Sequence, residues 1–214
     1  MKPALFLPGL LLSVALFSCQ KDRERVDVFI NDINIPDLQT GEIIPHQYVA
    51  IKNGSILETG GQELAEKYTA PEWLEGKGFY LIPGLWDNHV HFGGADYIDE
   101  NINLLDLYLA MGITTVRDAA GDISSEVLKW RDVINLNKRI GPRIFTSGPK
   151  IEGKGSIWPG DLEVDNEEEL INAFDSLEKL KVDFIKITDN ALKPELFVKA
   201  ISLAKSKGYP VSGH

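Results

Sequence analysis

Hydrophobic and polar residues alternate along residues 26–60 with the two-residue period of a β-strand. The alternation is interrupted at Asn53-Gly54, a pair that favours a two-residue hairpin turn because both positions accept positive φ. A short helical turn is predicted near residues 64–68 and a last strand near residues 79–82. We therefore expect residues 26–81 to form a small β domain, resembling part of a β-sandwich.

From residue 82 the pattern changes to apolar strands that alternate with amphipathic helices. Strands are predicted at 85–91, 113–118, 143–147, 182–188 and 209–214, and helices at 101–111, 124–137, 167–181 and 194–207. Glycines are expected to end helices in left-handed geometry at Gly112, Gly141 and Gly208. Such alternation predicts an α/β fold with parallel strands.

Two parallel architectures fit this repeat, a (β/α)8 TIM-type barrel and an open doubly wound sheet. A complete barrel takes about 250 residues, whereas residues 82–214 supply about five β/α units. Five strands of a barrel would leave unpaired edges, which are unfavourable in water. We expect the natural chain to continue past His214.

The first residues differ in composition from the rest of the chain. Lys2 precedes an apolar run over residues 4–17 that is shorter than the roughly 20 residues of a membrane span. The ending Leu16-Phe17-Ser18-Cys19 resembles the lipobox of bacterial lipoproteins, and Cys19 is the only cysteine of the sequence. The prediction is a signal peptide at 1–18, a lipidated tether at 19–25 and an exported protein anchored in a bacterial membrane, on its periplasmic or cell-surface side. An ordinary cleaved signal peptide is the alternative.

Charge excludes one class of partner. The 22 basic and 32 acidic side chains give a formal net charge of −10, and no basic stripe follows any element. Nucleic-acid binding needs such a stripe to neutralise phosphates, so DNA and RNA are not expected partners. The sequence does not indicate an oligomeric state.

His89 and His91 are the strongest candidates for chemistry. Residues two apart in a strand point to the same face, so the two imidazoles would lie side by side at the end of the first predicted strand of the 82–214 region. Imidazole is a common ligand of zinc and similar divalent metals. The alternative is a pair of surface histidines; His46, which has no ligand partner at useful spacing, is interpreted as a surface residue.

The strand that carries this pair reads Pro83-Gly84-Leu85-Trp86-Asp87-Asn88-His89-Val90-His91. It resembles the first-strand signature of the amidohydrolase superfamily, and Gly112-Ile113-Thr114-Thr115-Val116-Arg117-Asp118 resembles the second-strand segment of its imidazolonepropionase-like and prolidase-like members. Gly141-Pro142-Arg143 fits the same group. The resemblance runs from about residue 26 onward and implies a metal-dependent hydrolase barrel.

Lys186 lies in a strand that is expected to be buried on both faces, where a solitary lysine is costly. The plain interpretation is an ammonium that reaches the strand end. The resemblance implies instead a carbamate on Lys186 that bridges two metal ions, together with His214 as a further ligand. The implied cofactor is a divalent metal, zinc by preference, as one or two ions held by His89, His91, Lys186 and His214.

Other candidates support these ligands. Asp87 is expected to support the strand end, while Arg117 and Asp118 would orient ligands or substrate, or form an internal ion pair. The segment 148–165 is predicted to be a loop on the active-site face that selects the substrate. Its glycines lack the Gly-Lys-Ser or Gly-Lys-Thr ending of a phosphate loop.

The resemblance implies hydrolysis of C–N bonds, amides in small-molecule or peptide-like substrates, through a metal-activated water. A mononuclear imidazolonepropionase- or deaminase-type hydrolase is one alternative, and a non-catalytic lipid-anchored binding protein is another. The general-base aspartate of the family is expected beyond residue 214. The 214-residue chain by itself is therefore expected to be inactive.

Overall fold

The computed structural model describes residues 22–213. These residues divide into two compact units, the first ending at Ile82 and the second beginning at Pro83.

The elements of the first unit are β1 (Glu24–Arg25), β2 (Val28–Pro36), β3 (Ile43–Lys52), β4 (Ser55–Gly60), α1 (Leu64–Lys67), β5 (Tyr68–Thr69) and β6 (Glu72–Glu75). The unit is built around one four-stranded sheet with the strand order β4-β3-β2-β6. β2, β3 and β4 are antiparallel neighbours, while β6 runs parallel to β2. The short strands β1 and β5 form a separate parallel pair.

The hairpin between β3 and β4 is confirmed. Asn53 and Gly54 join the two strands with φ values of 53° and 71°, the left-handed geometry that such a turn requires. The strand predicted near residues 79–82 is wrong, since Tyr80 makes an isolated bridge with Asn34 there and no strand forms. Helix α1 confirms the predicted turn near residues 64–68.

Apolar side chains of the sheet pack on both faces. One cluster includes Phe29, Leu64 and Tyr68 and a second includes Ile33 and Val49, all buried. Burial of this apolar area is the main stabilisation of the unit.

The second unit alternates strands and helices. Its elements are β7 (Leu85–Val90), a 3-10 turn (Ala95–Tyr97), α2 (Ile98–Ala110), β8 (Ile113–Asp118), α3 (Ser124–Asn135), β9 (Arg143–Thr146), β10 (Ile151–Gly153), β11 (Leu162–Val164), α4 (Glu167–Leu180), β12 (Ile185–Ile187), α5 (Pro194–Ser206) and β13 (Val211–Gly213). All ladders are parallel, in the orders β7-β8-β9 and β11-β10-β12-β13. The predicted α/β class is therefore confirmed.

The two groups of strands meet at β9 and β12. The backbone N–H of Asp183, two residues before β12, donates to the carbonyl of Thr146 at the end of β9 over 2.9 Å. Further along, Ile151 of β10 pairs with Ile187 of β12. The end of β9 thus contacts the residues that lead into β12, and β10 pairs with β12 itself. The two strands β9 and β10 belong to separate ladders.

The residues that begin and end the helices have the conformations expected from the sequence, except after α3. The side chain of Asn166 accepts from the backbone N–H of Glu169 at the start of α4, as an N-cap does. Gly112 and Gly208 have φ values of 78° after their helices. The prediction for Gly141 is wrong: after α3 the left-handed residue is Asn137, with φ of 55°. Asparagine reaches this geometry more easily than other non-glycine residues.

Two clusters form the core of this unit. One packs α2 and α3 on β7–β9 and includes Phe92, Leu105 and Trp130, and the other packs α4 and α5 on β10–β13 and includes Phe174 and Ile187. In the part of the chain that the structure describes, no helix is long and apolar enough to span a membrane.

Candidate metal centre and adjoining cavity

His89 and His91 converge at the end of β7. Their Nε2 atoms lie 3.0 Å apart, as expected from side chains that leave a strand on the same face. Both residues are exposed, whereas Val90 between them is buried in the core. The strand therefore holds the pair by its apolar face and presents both imidazoles on the other.

A backbone hydrogen bond orients the second imidazole. The Nδ1 atom of His91 lies 2.5 Å from the carbonyl oxygen of Ala120. A carbonyl only accepts, so Nδ1 carries the proton and a neutral ring leaves the Nε2 lone pair unprotonated. This is the arrangement in which histidine binds metals, with the second nitrogen fixed by a partner outside the metal site.

The geometry of this pair fits two ligands of one metal ion. Two imidazole nitrogens at about 2.0–2.1 Å from a tetrahedral zinc lie about 3.3 Å apart, close to the 3.0 Å between these Nε2 atoms. Within residues 22–213, no group of three or more His, Cys, Asp or Glu side chains is placed to hold a metal. The described residues thus supply two histidine ligands, and a metal centre at this position would need further ligands of other kinds.

Lys186 lies in the middle of β12 and its side chain is buried. No carboxylate among residues 22–213 forms an ion pair with it. Burial is the main cause that lowers the pKa of its ammonium group, and the nearby cations Lys150 and Arg117 lower this pKa further. A lowered pKa favours the neutral amine, which is the form that reacts with carbon dioxide.

The three supporting residues have separate partners. Asp87 accepts the backbone N–H of His89 at 3.2 Å. Arg117 donates to the carbonyl of Asn88 at 2.8 Å and lies over the ring of Phe184, with 5.2 Å between the guanidinium carbon and the ring centroid. No ion pair joins Arg117 to Asp118 in the described structure, because neighbouring residues of β8 point to opposite faces.

Asp118 is fully buried beside the histidine pair. Its carboxylate accepts from the backbone N–H of Phe92 at 3.2 Å and from the hydroxyl of Thr146 at 2.7 Å. Burial raises the pKa of Asp118 to about 6, although these two hydrogen bonds and the nearby His91 act in the opposite direction. Asp118 therefore ties the residue after His91 to the neighbouring strand β9.

A cavity of about 560 Å³ opens beside the metal-ligand candidates, with His91 and Lys186 both in its wall. The wall is completed by Gly93, Gly94, Ala119, Ala120, Gly121, Asp122, Lys150, Trp158, Pro159, Asp161, Thr188 and Asn190. A volume of this size is typical of small-molecule sites. The structure thus brings two of the predicted ligands to one cavity.

The segment 148–165 forms one side of the cavity and is more ordered than the predicted loop. It contains β10 and β11, which pair with each other in parallel. Lys150 forms a buried ion pair with Asp161 over 3.2 Å, and Asp161 also accepts from the hydroxyl of Ser156. The Lys150 ammonium lies 5.8 Å from the centre of the Trp158 ring.

Glu152 connects this segment to the end of β12. Its buried carboxylate accepts from Thr188 Oγ1 at 2.6 Å, Asn190 Nδ2 at 2.8 Å and the backbone N–H groups of Gly153 at 2.8 Å and Ala191 at 3.1 Å. Burial alone would raise its pKa, but the four hydrogen bonds outweigh burial and lower the pKa to about 2. Two cavity residues, Thr188 and Asn190, are held in place by this single side chain.

Comparison with known proteins supplies relatives by sequence. No protein-family model matches the chain. It is 28% identical over 157 residues to the ochratoxinase of Aspergillus niger, covering 64% of this chain and 32% of that enzyme. It is 29% identical over 203 residues to an adenine deaminase of Desulforamulus reducens, covering 90% of this chain and 32% of the relative. The chain therefore spans about a third of the length of these curated relatives.

Solved structures agree on the fold. A Xaa-Pro dipeptidase crystallised with methionine in its active site superposes with a TM-score of 0.70 at 21% identity, over 87% of this chain and 56% of the dipeptidase. These relatives and structural neighbours belong to the amidohydrolase superfamily. The superfamily resemblance predicted from β7 and β8 is confirmed, and the parallel strands of the second unit correspond to those of TIM-barrel proteins.

The predicted signal peptide at 1–18, Cys19 of the lipobox resemblance and His214 of the amidohydrolase resemblance lie outside the described residues. The roles of His89, His91, Lys186 and His214 as ligands stay predictions, as do the supporting roles of Asp87, Arg117 and Asp118. The sequence pattern did not indicate Lys150, Glu152 or Asp161 as site residues. Lys150 and Glu152 flank Ile151 in an alternating stretch, but only the contact with β12 shows that these charged side chains are buried.

Proposed function

We propose that this chain is part of a metal-dependent hydrolase that cleaves C–N bonds, and in particular amide bonds of small-molecule or peptide-like substrates. The observation that carries the proposal is the 3.0 Å approach of the Nε2 atoms of His89 and His91 at the edge of the cavity. Relatives named ochratoxinase, adenine deaminase and Xaa-Pro dipeptidase are consistent with chemistry at such bonds.

In the proposed centre, His89 and His91 would hold the metal through Nε2, and Lys186 and His214 would supply further ligands. Zinc suits this donor set because imidazole nitrogen is among its usual ligands. A bound metal of this kind lowers the pKa of a water molecule and polarises a substrate carbonyl. The proton acceptor for that water is expected outside residues 22–213.

The chain's own residues prepare this site. Ala120 fixes the His91 tautomer through its carbonyl, and Asp118 anchors the backbone of Phe92 directly after it. The cavity wall beside Lys186 and Trp158 would surround a substrate placed next to the proposed metal. Reacting groups held in this way lose little freedom on the way to the transition state.

The number of metal ions depends on Lys186. Its burial, its lowered pKa and the absence of a carboxylate partner within residues 22–213 favour a carbamate, and thereby two metals. The mononuclear alternative, an imidazolonepropionase- or deaminase-type hydrolase, is supported by the similarity to an adenine deaminase. Metal counting on the purified protein separates the two.

We further propose that the second unit is the first part of a (β/α)8 barrel and that residues 26–81 belong to a composite β-sandwich. On this proposal the 214-residue chain by itself binds metal weakly and shows no turnover. The location of the protein is a separate proposal, in which Cys19 carries a lipid that anchors the protein to a bacterial membrane.

The experiment that tests the function uses full-length protein stripped of metal with a chelator. Hydrolysis of a panel of dipeptides and N-acyl amino acids should be absent from the stripped protein and return with zinc. His91→Ala should lower zinc affinity by more than about 100-fold, since residues that only orient ligands already change affinity by about 10- to 100-fold.

His46→Ala is the matched control for this variant. His46 is an exposed histidine of the first unit, where it pairs with Asp32 over 2.6 Å, and its loss should leave zinc affinity and hydrolysis unchanged. Hydrolysis by the stripped protein, or full zinc affinity in His91→Ala, would contradict the proposal.

A further inference from the structure

The turn between β3 and β4 brings together two residues whose side-chain and backbone groups can react with each other. In the sequence Asn53 is followed by Gly54, and no other asparagine of the chain precedes a glycine. Both residues are exposed, and a Cβ atom placed on Gly54 would meet no other atom within 4 Å. The backbone of Gly54 therefore lies in open space next to the side chain of Asn53.

The peptide group between Asn53 and Gly54 is not held by a hydrogen bond within residues 22–213. The N–H of Gly54 has no acceptor there, and the carbonyl of Asn53 has no donor. The side-chain amide of Asn53 likewise makes no hydrogen bond to the described residues. The turn is anchored on either side of this peptide group. The backbone N–H of Asn53 donates to the Asp27 carboxylate over 2.5 Å, and Lys52 pairs with Ser55. The peptide group can therefore rotate while the hairpin stays paired.

We propose that Asn53 is a site of spontaneous modification, at which the side-chain amide becomes a carboxylate without an enzyme. The backbone nitrogen of Gly54 forms a bond to the side-chain carbonyl carbon of Asn53. The side-chain nitrogen leaves as ammonia and takes up the proton that the Gly54 nitrogen loses through the solvent, and a cyclic imide remains. One water molecule then opens the imide. Cleavage at the side-chain carbonyl gives aspartate, and cleavage at the main-chain carbonyl gives isoaspartate.

Glycine favours this reaction for two physical reasons. The attacking nitrogen must approach the side chain of the preceding residue, and glycine has no Cβ atom to obstruct that approach. Gly54 also has a φ of 71°, a left-handed value that glycine enters and leaves at little steric cost. The peptide group can therefore reach the orientation for attack more easily than one that precedes a residue with a side chain.

Asn137 is a matched comparison within the same chain. It is exposed like Asn53 and has nearly the same left-handed φ, 55° against 53°. The residue after it is Lys138, which has a side chain and whose backbone N–H donates to the carbonyl of Val133 over 2.9 Å. Because the attacking nitrogen is both obstructed and hydrogen-bonded at this position, Asn137 should keep its amide.

The modification would disturb the hairpin in two ways. A carboxylate at position 53 lies next to Asp27, whose oxygen accepts the N–H of Asn53, so that two like charges approach each other. Isoaspartate additionally inserts one carbon atom into the main chain between Lys52 and Ser55, the pair that closes the hairpin. The first unit should therefore be less stable after modification than before it.

The experiment follows the covalent structure of the folded wild-type protein during incubation in mildly alkaline buffer, because base promotes loss of the proton from the Gly54 nitrogen. Peptide mapping by mass spectrometry should find aspartate and isoaspartate at position 53, in amounts that rise with time and with pH, while Asn137 stays intact. A sample unfolded in urea gives the rate of the same reaction without the turn. The inference does not rest on the proposed hydrolase function, since catalytic activity is not measured.

Three variants complete the test. Asn53→Gln should stay unmodified at position 53, because its longer side chain closes the imide ring less readily. Asn53→Asp should unfold at a lower urea concentration than the wild type, whereas Asn137→Asp, which places its charge away from Asp27, should show a smaller shift. Conversion of Asn53 only in the urea-unfolded sample, or equal conversion of Asn53 and Asn137 in the folded protein, would overturn the proposal.

Discussion

The hydroxyl group of Thr188 donates a hydrogen bond to the carboxylate of Glu152 over 2.6 Å, and both residues are buried. This bond joins the segment after β9 to the end of β12, 36 residues further along the chain. Thr188 also lines the cavity. The side chain of Glu152 therefore contributes both to the stability of the fold and to the shape of the cavity.

Glu152→Gln should lower the free energy of unfolding at pH 7 by about 3 kcal/mol, the value that corresponds to a pKa lowered from 4.5 to about 2. The folded-state pKa lies below the unfolded one, so the carboxylate stabilises the fold above pH 4.5 and loses this effect as the pH falls towards 2. The difference between variant and wild type should therefore shrink between pH 4.5 and pH 2. Urea unfolding at several pH values measures it.

Glu72→Gln serves as the control for that prediction. Glu72 lies exposed on β6, and its replacement should change stability by less than about 0.5 kcal/mol. Equal losses in both variants at every pH would show that the four hydrogen bonds of Glu152 have no special effect.

Lys186→Ala should remove an anionic ligand from both proposed metals, lowering metal content and hydrolysis together. Short carboxylates added to the variant should restore part of the activity by occupying the vacated space. Lys186→Arg keeps the positive charge but cannot form a carbamate, because guanidinium stays protonated, and it should not restore activity. Metal analysis and rate measurements on full-length protein check both; normal metal content and rate in the arginine variant would leave the mononuclear alternative.

Gly121→Ala should destabilise the protein by about 3 kcal/mol or more, because the new Cβ atom would lie 1.9 Å from the backbone carbonyl oxygen of Phe92. Gly141→Ala is the comparison: its Cβ atom would meet the Cδ1 atom of Ile134 at 2.7 Å, and that end of a flexible side chain can move aside. The second variant should lose less than about 1.5 kcal/mol. Thermal and denaturant unfolding measure both, and equal losses would disprove the distinction.

Cys19→Ala should release the protein from the membrane fraction, because the proposed lipid is attached to that thiol. Mass spectrometry of the wild type should find the acylated cysteine at the mature N-terminus. A wild-type protein that is found in the aqueous fraction with another first residue would contradict this prediction.

The predictable parts of the fold are those in which local pattern and long-range contacts agree. The strand 113–118 has the predicted bounds because its residues pair along their whole length with β7 and β9. β12 is shorter than predicted, because Asp183 turns to bind Arg131 and the backbone of Thr146. The approach of His89 to His91 follows from the two-residue side-chain period of a β-strand, which can be recognised in the sequence itself.

Other features depend on contacts that no local pattern encodes. The local pattern predicts a loop for the segment 148–165, since its strands exist only through pairing of Ile151 with Ile187 and with Leu162. The ion pair of Lys150 with Asp161 requires the intervening residues to fold back on themselves. Burial of such charges is decided by the tertiary fold and is not visible in the sequence.

Ala120 has a φ value of 82°, which alanine rarely adopts. Its carbonyl reaches His91 from this backbone conformation. In a saturation-mutagenesis map, valine and isoleucine at position 120 should therefore reduce activity as strongly as changes at a ligand, whereas glycine should be tolerated. A search for essential residues by their side-chain chemistry would overlook this position, because its contribution to the site is made entirely by the main chain.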